Sequence, residues 1–221
     1  MPPRNAWAIA FGTSASAVVA DLDGVGGLEI ALPSVWETVV WTTAGVQLTR
    51  TDACPDPPSQ WALTTGGPIM AIGIGDIDGD KKLEFFATPS DRNVAGGSQA
   101  GGVVMYKFDG QKYVRSWVEH EKGTHAKEIL ARDLDGDGKA ELFSVLEAEV
   151  DPADKKKLKK PVEIRQYHLQ SDGAFTHEAI ATIQDRQTRF LIPADFDRDG
   201  KMELVAAALA TGIYHLTPPA S

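Results

Sequence analysis

A single cysteine, Cys54, stands among 221 residues, so no internal disulfide framework staples this chain. No apolar run reaches the ~18 residues that a membrane-crossing helix needs. Cations are in deficit: 22 Lys and Arg against 31 Asp and Glu leave a net charge of −9, which argues against a nucleic-acid partner. The opening MPPRNAWAIAFG carries one arginine and no long apolar stretch, so it does not read as an intact secretory signal. Helical periodicity is also missing. No window sustains an apolar period of 3.6, and helix is expected to be scarce. The histidines (120, 125, 168, 177 and 215) show no H-E-x-x-H or Cys/His spacing. G-x-S-x-G, phosphate-loop and dinucleotide fingerprints are lacking too, and Cys54 in CPDPP reads as a loop residue. No catalytic residue is assigned.

What the chain does have is a repeat. VVADLDGVGGLE (18–29), GIGDIDGDKKLE (73–84), LARDLDGDGKAE (130–141) and IPADFDRDGKME (192–203) share one pattern. Their first aspartates, Asp21, Asp76, Asp133 and Asp195, are spaced by 55, 57 and 62 residues. Each motif lies between short apolar runs (EIAL, EFFAT, ELFSVL and ELVAAAL follow), the mark of a tight loop joining two strands of a hairpin. Trp7, Trp61 and Trp117 keep a near-constant phase, 14, 15 and 16 residues before Asp21, Asp76 and Asp133. Fixed phase favours packing between units over a sugar-stacking role; Trp36 and Trp41 break the phase and are the better surface candidates. Further strand pairs are expected about the Asp109-Gly110 and Asp172-Gly173 turns.

Each unit thus holds about four short strands, the size of one β-propeller blade. The prediction is an all-β propeller of four blade equivalents, either closed alone or forming half of a larger ring. The units run approximately 13–65, 66–122, 123–184 and 185–221, the last completed by 1–12. Closure by the N-terminal strand at Trp7–Phe11 follows because the fourth unit ends one strand short.

The loops carry the chemistry. In DLDGDGKAE the aspartates occupy positions 1, 3 and 5 and a glutamate position 9, with a backbone carbonyl near position 7 facing inward. Such hard oxygen donors suit calcium. Complete sets are Asp133, Asp135, Asp137, Lys139 (carbonyl) and Glu141, and Asp195, Asp197, Asp199, Lys201 (carbonyl) and Glu203. The second loop has Asp76, Asp78, Asp80, Lys82 (carbonyl) and Glu84, but Lys81 replaces a glycine. The first keeps Asp21, Asp23 and Glu29 with Val25 at position 5, a weak set. Three occupied sites and one degenerate site are expected. An EF-hand fails as an alternative, because position 12 is Leu32, Ala87, Ser144 or Ala206.

This pattern resembles the FG-GAP or VCBS repeats, the calcium-loop blades of integrin α-subunit propellers and many bacterial surface proteins. The resemblance implies a propeller fold, with the acidic residues above as calcium ligands. Such blades serve adhesion, sugar binding and enzyme scaffolds alike. The leading expectation is a non-catalytic, calcium-stabilised module, extracellular or at the cell surface, that binds a protein or a glycan. The alternatives are a structural assembly module and a polysaccharide lyase or hydrolase on a propeller scaffold. A homo-oligomer arises if another copy supplies the closing strand. Two segments outside the loops stand out as further candidates: the lysine-rich DPADKKKLKKP (151–161), read as a solvated loop, and the Gly/Ser-rich stretch 90–102.

Overall fold

The computed structural model describes residues 18–20, 29–33, 38–42, 69–91, 97–109 and 113–219. Among these there is no helix, so none is long and apolar enough to cross a membrane. The first sheet holds β1 (Val18–Ala20), β2 (Glu29–Pro33) and β3 (Thr38–Thr42). The second runs in order through β4 (Ile69–Gly75), β5 (Glu84–Pro89), β6 (Gly101–Phe108) and β7 (Tyr113–Glu121). The third is an up-and-down sheet of β8 (Ala126–Arg132), β9 (Glu141–Leu146), β12 (Val162–Leu169) and β13 (Phe175–Ile183). A small hairpin of β10 (Glu149–Val150) and β11 (Leu158–Lys160) interrupts it. The fourth has β14 (Thr188–Ala194), β15 (Glu203–Ala208) and β16 (Ile213–Leu216). Among the described residues all pairings are antiparallel, and no sheet closes on itself.

The leading strands lie side by side: β1 meets β4, β4 meets β8, and β8 meets β14. At β4 this approach needs glycine, because a Cβ on Gly75 would strike the side chains of Ala140 and Ala131. Two apolar layers fill the space between successive sheets. Ala71, Phe86, Val103, Ile129 and Leu142 pack between the second and third sheets. Phe143, Val145, Ile164, Ile183, Leu191 and Leu204 form the next layer, between the third and fourth. Successive residues of a strand face opposite ways, so Leu142 enters one layer and Phe143 the other. A strand covered on both faces reads as a continuous apolar run, which explains why EFFATP and LFSVL are buried throughout.

The hairpins expected about Asp109-Gly110 and Asp172-Gly173 are the β6–β7 and β12–β13 pairs. The lysine-rich tract is the exposed tip of the β10–β11 hairpin. Trp117 departs from the packing expectation. It is 41% exposed, with the Arg115 guanidinium 4.6 Å over its ring, because Val118 takes the core-facing direction on β7. Trp7, Trp36 and Trp61, and the N-terminal closing strand, lie outside the described residues.

Candidate metal centre

Each acidic loop joins the first two strands of its sheet. The described loops are 76–83 between β4 and β5, 133–140 between β8 and β9, and 195–202 between β14 and β15. Their backbones are wired alike by their own carboxylates. The position 1 aspartate bridges the turn: Asp76 Oδ2 accepts from Lys81 N (2.8 Å), Asp133 Oδ2 from Gly138 N (3.0 Å) and Asp195 Oδ2 from Gly200 N (3.1 Å). The position 3 aspartates, Asp78, Asp135 and Asp197, accept from the N–H groups of Asp80, Asp137 and Asp199. The position 5 aspartates in turn accept from the N–H groups of Lys82, Lys139 and Lys201. The glutamate closes the loop: Glu84, Glu141 and Glu203 Oε2 accept from Ile77 N (3.0 Å), Leu134 N (2.7 Å) and Phe196 N (2.7 Å).

This wiring requires left-handed backbone at positions 4 and 6. In the third loop glycines supply both, Gly136 (φ 81°) and Gly138 (φ 91°). Lys81 (φ 65°) takes position 6 in the second loop, and Arg198 (φ 65°) takes position 4 in the fourth. Each non-glycine there costs roughly 1–2 kcal/mol, a strain the carboxylate bonds hold in place.

The same wiring leaves carboxylate oxygens converging. Asp195, Asp197, Asp199 and Glu203 each bring one oxygen within 4.8 Å of the others. Asp76, Asp78 and Glu84 do the same, as do Asp133, Asp135 and Glu141; Asp80 and Asp137 stand outside these tighter groups. Three or four anionic oxygens converging on one point are the donor set of a hard divalent cation, and the residues fit it. Glu84 and Glu203 are buried and Glu141 half-buried. Desolvation pushes the Glu84 and Glu141 carboxyls above the ordinary carboxylate range; at Glu141 the charges of Asp135 and Asp133 add to it. Lys82, Lys139 and Lys201 stand at position 7, where their backbone N–H groups donate to Asp80, Asp137 and Asp199. Asp21 and Asp23 lie outside the described residues, and Glu29 pairs with Thr42 at the start of β2.

One participant was not anticipated from the sequence. Lys107, on β6, brings its ammonium onto the second loop, pairing with Asp78, with Asp80 at 3.0 Å and with Glu84 at 3.2 Å. Burial works against that charge, but bonds from Asp78, Asp80 and Glu84 hold it above its usual range. The only available signal was strand register, since Phe85 pairs with Tyr106 and Glu84 and Lys107 are the residues next along the two strands.

At the opposite end of the second and third sheets is a shallow cleft of about 290 Å³. Gly97, Ser98, Gly123, Glu149, Lys155 and Lys159 line it. It brings together Gly97 and Ser98 of the Gly/Ser stretch and the lysine hairpin.

Repeated antiparallel sheets, three of them opened by a described carboxylate-wired loop, define an all-β repeat protein with candidate cation sites. Residues 133–206 match the family model described as FG-GAP-like repeat. The match runs from the third loop through the fourth into β15. No curated protein matches the chain.

Proposed function

We propose that this chain is a calcium-stabilised, non-catalytic propeller module, extracellular or at the cell surface, that binds a protein or glycan partner. The observation that carries the calcium reading is recurrence: loops more than 50 residues apart in sequence repeat one wiring that aims carboxylates at one point. Ordinary Asp/Gly turns have no reason to converge in that way. In the third loop Asp133, Asp135, Asp137 and Glu141, and in the fourth Asp195, Asp197, Asp199 and Glu203, would hold calcium, with the Lys139 and Lys201 carbonyls as further oxygen donors.

Side-by-side leading strands and face-to-face sheets support a propeller. The N-terminal strand then completes the three-stranded fourth sheet. Recognition is assigned to the end bearing the cleft and the two long insertions, away from the ions, which leaves calcium a structural role. Calorimetry on chelator-treated protein tests the reading. Calcium uptake that Asp135→Asn and Asp197→Asn each reduce by one ion supports it; no uptake overturns it.

A further inference from the structure

We propose that the Lys107 ammonium is the resident cation of the 76–84 loop, which therefore closes without a divalent ion while the 133–141 and 195–203 loops take calcium. The proposal rests on the calcium reading of those two loops.

Lys107 Nζ reaches the carboxylates of positions 3, 5 and 9 together, through Asp78, Asp80 and Glu84. A cation seated on three carboxylates neutralises the charge that a metal would otherwise neutralise. Strand register makes the placement specific to this sheet. The pairing of Phe85 with Tyr106 sets Lys107 beside Glu84. The equivalent pairings, Leu142 with Tyr167 and Leu204 with Leu216, set His168 beside Glu141 and Thr217 beside Glu203. In the first sheet Glu29 pairs with Thr42. His168 turns to Glu178 on β13, its ring nitrogen 3.4 Å from the carboxylate. Thus only the second of these four sheets sets a lysine at this register. At position 6 the second loop has Lys81, where the third and fourth loops have Gly138 and Gly200.

Bound calcium per chain, measured by equilibrium dialysis on the full chain, decides the matter. Asp78→Asn is expected to leave the count unchanged, whereas Asp135→Asn lowers it by one. Lys107→Met, which keeps the aliphatic stem, is expected to raise the count by one and to make melting newly sensitive to chelator. Loss of an ion in Asp78→Asn overturns the proposal, as does a folded Lys107→Met that gains none. If Lys107→Met folds only with calcium present, the proposal stands; if it does not fold at all, Asp78→Asn alone decides. Failure of Asp135→Asn to lose an ion is a failure of the calcium reading, and is thereby distinguished.

Discussion

Arg165 on β12 and Glu119 on β7 form an ion pair that joins the third sheet to the second, with side chains only 7% and 9% exposed. Glu121 and Glu163 also accept from the guanidinium, and Tyr167 donates its hydroxyl to Glu119 at 2.6 Å. His177 lies 3.2 Å from the same carboxylate. The group bridges the two sheets beside the apolar layer between them, so it helps fix how they are set against one another.

Arg165→Met leaves Glu119 buried without its cation, and breaking one partner of a buried pair costs about 3–5 kcal/mol. Urea unfolding checks this. The double variant Arg165→Met/Glu119→Gln should recover part of the loss, because the stranded charge is removed.

His125 supplies a pH dependence. It is buried, with Glu147 Oε2 3.2 Å from its Nε2. Desolvation, then the Lys127 charge, pushes it from 6.5 down to about 3. The unfolded chain therefore takes up the proton first as pH falls below 6.5, and stability drains away between there and about 3. The slope approaches about 1.4 kcal/mol per pH unit. Stability of wild type and His125→Gln, followed from pH 7 to 4, should show a shallower decline in the variant.

Two glycines separate crowding from backbone strain. A Cβ on Gly102 would overlap the Glu119 carbonyl on β7, so Gly102→Ala must push the strands apart, at about 3 kcal/mol. Gly136→Ala meets nothing within 4 Å and pays only for its φ of 81°, about 1 kcal/mol. Thermal melts of the two variants should keep that order.

Chelation should lower the melting temperature. Calcium held only by the native loops contributes about 2.7 kcal/mol per site at a hundredfold excess over its dissociation constant. For a chain this size that is roughly 5–10 °C per site. Asp135→Ala should reproduce part of the fall, and an unchanged melt in chelator would show ordinary turns.

The strands and the loop carboxylates were legible because they are local. A hairpin places positions 1, 3, 5 and 9 together whatever the rest of the chain does, and apolar runs such as ELFSVL betray a strand buried on both faces. Lys107 was not legible. It lies 23 residues beyond Glu84, and only pairing across β5 and β6 makes them neighbours. Trp117 misled for a related reason, since repeat phase fixes where a residue lies along a strand but not which face its side chain takes. The left-handed position 4 was hidden in the fourth loop, where Arg198 stands in place of glycine.

The hydrogen bonds inside each loop alter what its spelling signifies. Asp76 and Glu84 are tied to backbone N–H groups as firmly as their counterparts in the other two loops. The aspartates and the glutamate are therefore needed to shape the turn, whether an ion or a lysine lies among them. Counting motifs in a chain of this kind counts folded turns; counting its ions requires the residue across the strand.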